Sequence, residues 1–137
     1  MTHTDACRIA MLVISRYGGI PLLQTVGLFT DERGNKRKIG VTGTPDVIAL
    51  MPGGRFLAVE VKTGKAVQSD VQRDFEAAIR ARGGDFILAR FVDAATGESA
   101  LAEALGRLGY APGSSQPPEP TPETDRPALP GTAKRAT

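Results

Sequence analysis

Apolar side chains at Ile9, Leu12, Val13 and Tyr17 return every three or four residues, the spacing that keeps one face of a helix apolar. A first helix is therefore expected over residues 5–17, with Thr4 or Asp5 as N-cap and Gly18-Gly19 as the stop. Residues 22–29 alternate loosely and include β-branched and aromatic side chains, which predicts a strand. The polar run 31–36, followed by Arg37 to Gly40, reads as the tip of a long hairpin or an extended loop. Residues 46–50 and 56–61 are apolar at odd and even positions alike and flank Pro52-Gly53-Gly54, so two central antiparallel strands joined by a turn are expected. A second helix is predicted over 69–82 on the stripe Val71, Phe75, Ala78 and Ile79, ending at Gly83-Gly84. Residues 85–91 form a short buried-type strand, and 99–108 a helix striped by Leu101, Ala104, Leu105 and Leu108.

With 137 residues the chain has room for one compact domain. Seven of its 10 prolines lie beyond Tyr110, where large apolar side chains are almost absent. Such a segment buries too little surface to offset its ordering entropy. The expected organisation is a folded domain over 1–110 and a disordered tail over 111–137.

A net charge of +2 permits nucleic-acid binding without arguing for it, so any phosphate-binding surface has to be local. The single cysteine, Cys7, cannot form an internal disulfide, and a reducing cytoplasm fits. Set among Ala6, Ile9 and Ala10, Cys7 reads as a packed thiol, and His3 as an ordinary terminal residue. One cysteine and one histidine fall short of the usual four zinc ligands. The apolar stretch 9–14 is too short to span a bilayer, so neither an export signal nor a membrane anchor is expected.

Three charged residues break the two most apolar segments: Asp46, Glu60 and Lys62. Unpaired charge in such surroundings costs several kcal/mol, so something has to compensate it. Glu60 and Lys62 are two apart and share a strand face, while Asp46 opens the neighbouring strand. A turn over 51–55, with Leu50 opposite Phe56, sets Asp46 beside Glu60. A turn one residue shorter sets it opposite Val59, unless a β-bulge restores the phase. Two carboxylates on one face, with a backbone carbonyl such as that of Val61, suit Mg²⁺ or Mn²⁺. Lys62 would then orient water and stabilise a pentacoordinate phosphate. The simpler alternative makes Asp46 a turn cap and pairs Glu60 with Lys62 or another cation as a structural ion pair at a strand end.

The ordered runs Gly43-Thr44-Pro45-Asp46-Val47-Ile48, then Gly53 to Thr63 with its Glu60-Val61-Lys62 core, then Ser69-Asp70-Val71-Gln72, resemble the signature of VRR-NUC domains, a branch of the PD-(D/E)XK nuclease superfamily. The resemblance covers roughly residues 25–90. It implies an α/β (α+β) fold with a restriction-endonuclease-like αβββαβ core, a mixed sheet flanked by helices. It also implies a Mg²⁺-dependent nuclease acting on DNA, with branched or flapped DNA among the substrates, and it is compatible with a homodimer. By the resemblance Asp46 and Glu60 are metal ligands, Lys62 is the catalytic lysine, and Gln72 is the helix glutamine that faces the site. Ser69 and Gln72 also form a capping-box pattern, which alone would account for Gln72. The first helix of the family often carries a glutamate near the metal. Here only Asp5 is available, which leaves a third acidic ligand in doubt.

Arg33, Lys36, Arg37, Lys38 and Lys65 are candidates to grip a nucleic-acid backbone, against the simpler account of solvated loop charge. Gly64-Lys65 lacks the spacing of a P-loop, and no Ser/His/Asp set is available. The competing functional class is a nucleic-acid-binding module that keeps this fold without cutting.

Overall fold

In chain order the computed structural model, which describes residues 1–24 and 27–113, consists of α1 (His3–Arg16), β1 (Ile20–Leu23), β2 (Gly27–Thr30), β3 (Lys36–Ile39), β4 (Val47–Met51), a 3₁₀ turn (Pro52–Gly54), β5 (Arg55–Thr63), α2 (Asp70–Ala81), β6 (Asp85–Phe91) and α3 (Ala94–Arg107). Four strands form one mixed sheet in the order β1-β4-β5-β6. Its β1–β4 and β4–β5 pairs are antiparallel, and β5–β6 is parallel. The parallel pair is joined through α2, the kind of crossover such a pair needs. β2 and β3 make a separate two-stranded hairpin.

β5 is apolar on both faces because both are covered. Leu57, Val59 and Val61 enter the main core with Val47, Ala49 and Met51 of β4, Ile87, Ala89 and Phe91 of β6, and the buried faces of α1 and α3. On the opposite face Ala58 packs with Ile79, Phe86 and Phe75 under α2. Cover on this second face is incomplete: Leu22, Leu50 and Phe56 are all exposed. Tyr110 closes the main core, its hydroxyl donating to Asp85 at 2.8 Å while the Arg55 guanidinium lies 4.4 Å over its ring.

The β4–β5 register has Leu50 opposite Phe56 and Met51 opposite Arg55. The connection is thus the shorter segment Pro52–Gly54 inside the expected 51–55 turn, with the expected phase and no bulge. Gly53 takes φ +82° there, a left-handed conformation that a side chain would strain.

Several boundaries differ from the sequence expectation. α1 begins earlier, and its N-cap is Thr2 rather than Thr4 or Asp5: the Thr2 hydroxyl accepts from Asp5 N–H. The single strand expected over 22–29 is two strands in two sheets, β1 and β2. β1 follows β4 through backbone pairing, Ile20 with Leu50 to Leu23 with Val47, a partnership that local alternation does not encode. α3 starts at Ala94, five residues before the expected 99, where Asp93 and Thr96 form a capping box. The tail expected to be disordered lies outside the described residues from 114 onward. No helix among the described residues is long and apolar enough to cross a membrane.

Candidate active site

Pairing of Val47 with Val59 carries Asp46, one residue earlier, to the position beside Glu60. Its backbone carbonyl accepts from Gln24 N–H at 2.8 Å, which prolongs the β1–β4 ladder. Its carboxylate reaches across to β5, where Oδ2 accepts from Val61 N–H at 2.8 Å. Gly43, at φ +86°, packs so closely on Val71 that a side chain would not fit, which draws the chain leading into β4 against the start of α2.

Glu60 is 1% exposed, the sole charged residue in the buried set among the described residues. Its Oε2 accepts from Gln68 Nε2 at 3.2 Å, while Oε1 is buried with no hydrogen-bond partner. Burial pushes the Glu60 carboxyl above the ordinary range. Gln68 and Lys62 pull it back, and the charges of Asp46 and Glu76 push it up again. The Gln68 amide that donates to Glu60 also donates to Glu76 Oε1 at 3.1 Å, which ties the two carboxylates together. Lys62 does not pair with Glu60 as the structural alternative requires. Its Nζ donates to Gln72 Oε1 at 3.0 Å, and no described cation lies within ion-pair distance of Glu60. Gln72 Oε1 also accepts from Ser69 N–H at 2.8 Å, so the capping box and the contact with Lys62 coexist in one side chain.

His3 is no bystander. Its Nε2 lies 3.4 Å from Asp46 Oδ1 and 3.2 Å from the Val61 carbonyl oxygen. Cys7, one helical turn on, places Sγ 3.8 Å from the same ring. Burial, then the Asp46 charge, push its thiol up to about 11, consistent with a packed, non-nucleophilic thiol. Asp5, the acid available on this helix, instead bonds Thr2 and faces Arg8. His3, Cys7, Asp46 and Gln72 line a cleft of about 460 Å³ between α1 and the start of α2.

These oxygens suit a divalent cation. Asp46 Oδ1 and the Val61 carbonyl converge on one ring nitrogen, and buried Glu60 Oε1 lacks any donor, which is an acceptor-rich arrangement short of positive charge.

The candidate DNA-gripping residues are all exposed. Lys36, Arg37 and Lys38 form most of the exposed strand β3, Arg33 sits at the hairpin tip, and Lys65 follows β5. Arg37 is held by Asp31 at 3.2 Å. Sequence reasoning missed His3, Gln68 and Glu76. His3 and Cys7 at i and i+4 share a helix face, as do Gln72 and Glu76, and that spacing was the available signal.

Residues 28–93 match the VRR-NUC domain family model. A solved structure described as a VRR-NUC domain has a similar fold, with a TM-score of 0.51 and 18% identity, covering 77% of this chain and 94% of that one. No curated protein matches the chain. The matched span includes Asp46, Glu60, Val61, Lys62 and Gln72, whereas His3 and Cys7 precede it. Residues 28–93 therefore carry a match to the VRR-NUC domain, a nuclease-type class of domain consistent with the PD-(D/E)XK superfamily, and the fold agrees with that match.

Proposed function

We propose that the protein is a metal-dependent nuclease that hydrolyses DNA phosphodiester bonds at the group formed by Asp46, Glu60, Lys62 and Gln72. The observation that carries this reading is Glu60: a charged side chain, fully buried, with one oxygen unpartnered and the charges of Asp46, Lys62 and Glu76 acting on it. Keeping such a group is costly unless it serves a cation. Asp46, Glu60 and the Val61 carbonyl would hold Mg²⁺, with Mn²⁺ as a substitute, and the bound ion would polarise the phosphoryl oxygen and acidify a water.

The chain's own groups do the rest. An ammonium has three donors, and Lys62 gives one to Gln72, which leaves two for the attacking water and a phosphate oxygen. Its positive charge opposes the negative charge that grows on the phosphate in the transition state. Gln72 is a positioning residue that fixes Nζ from the first turn of α2. Arg33, Lys36 and Lys38 on the hairpin and Lys65 after β5 would hold the DNA backbone.

The test is cleavage of linear, flapped and four-way DNA with Mg²⁺, Mn²⁺ or EDTA. Asp46→Ala and Lys62→Ala are expected to lower the rate by about 100-fold or more, EDTA to abolish it, and the panel to reveal a preference for flapped or branched DNA. Equal degradation by wild type and both variants would assign the activity to something else.

A further inference from the structure

We propose that His3 and Cys7 of α1 join Asp46 to form a site for a borderline divalent ion of the Zn²⁺ or Co²⁺ kind. One nitrogen, one sulfur and one carboxylate oxygen from these three residues lie within 4.8 Å of one another. The His3 Nε2–Asp46 Oδ1 separation is 3.4 Å and the Cys7 Sγ–His3 separation 3.8 Å. In a tetrahedron with zinc bond lengths of about 2.0 Å to nitrogen and oxygen and about 2.3 Å to sulfur, the corresponding edges are roughly 3.3 and 3.5 Å. The donors are thus close to the spacing that coordination needs, before any ion arrives. The Val61 carbonyl, 3.2 Å from the His3 nitrogen, or a water from the cleft completes a fourth position.

Donor chemistry sets the selectivity. Imidazole and thiolate favour Zn²⁺ and Co²⁺ and are poor ligands for Mg²⁺, which prefers oxygen. On binding, the metal–sulfur bond replaces the S–H bond of Cys7, and the proton leaves to solvent. The inference rests on the proposed reading of Asp46 as a metal ligand, and not on cleavage. Asp46 Oδ1 and the Val61 carbonyl also belong to the Mg²⁺ set, so the ions compete for them, and the imidazole and thiolate decide that competition in favour of Zn²⁺ or Co²⁺.

The test is titration of the full chain with Co²⁺ alone, without DNA, followed by absorption. One Co²⁺ per chain is expected, with a thiolate-to-cobalt charge-transfer band in the near ultraviolet that Zn²⁺ removes and excess Mg²⁺ leaves in place. Cys7→Ser should lose that band, and His3→Ala should weaken Co²⁺ binding by at least about tenfold. His3 is half exposed, so its variant decides the matter even if Cys7→Ser does not fold. Binding without the thiolate band, or variants that titrate like wild type, would overturn the site. A chain that cuts DNA with Mg²⁺ yet shows no such band refutes this inference alone; one that shows the band yet cuts nothing refutes the nuclease reading and leaves the site standing.

Discussion

Glu60 sets the energetics of the site. Its carboxyl is raised above its unfolded value, chiefly by burial. A raised carboxyl contributes stability that is fully present below the unfolded pKa, about 4.3, and is lost as pH rises through the folded value. Above that window the carboxyl therefore subtracts from stability. Glu60→Gln is expected to raise the stability at pH 7 by about 1 kcal/mol and to lose this advantage in acid, as read by denaturant melts across pH. Adding Mg²⁺ should raise the melting temperature of wild type but not of Glu60→Gln, because a ligand stabilises only the form that binds it. A variant less stable than wild type at pH 7 would contradict the claim that the charge is uncompensated. Glu60 itself was legible as a charge in an apolar strand. Its partner Gln68 was not, because the loop leading to α2 has no periodicity to reveal where its side chains point.

At the scale of elements, α2 combines support and chemistry. Its capping box fixes Gln72, which in turn fixes Lys62. Ser69→Ala should cost about 1 kcal/mol of stability. Gln72→Ala should also reduce cleavage by about tenfold or more, acting on kcat more than on KM, since its side chain holds Lys62. A Gln72→Ala enzyme with wild-type turnover would reduce the residue to a cap. Gly43→Ala should be destabilising, because its left-handed φ and its contact with Val71 both resist a side chain. Elements with a strong stripe, such as α2 and β6, were legible to within a residue or so. α3 was read five residues short because Ala94, Ala95 and Gly97 carry no large apolar side chain, although the Asp93–Thr96 cap was visible in the sequence.

Across the molecule, the sheet separates duties: one face holds the main core under α1 and α3, and the other carries Glu60 and Lys62 beside α2. A net charge of +2 gives little general attraction to DNA, so affinity should depend on local charge. Replacing Lys36 and Lys38 together by Ala is expected to weaken DNA binding across sequences and to lower the salt dependence by about one phosphate contact per residue. An unchanged salt slope in a binding titration would leave these lysines as solvated surface. The sequence by itself determined the order of most elements and the presence of three ionic groups on or beside the central strands, because hydrophobic periodicity is local; it left two turn lengths, and so two β4–β5 phases, open until the register chose between them. Only the tertiary structure decided that β1 joins β4 while β2 does not. It alone brought His3, 43 positions before Asp46, onto that carboxylate. Strand partnership and the docking of a helix end depend on burial summed over distant segments, and no window of neighbouring residues contains that sum.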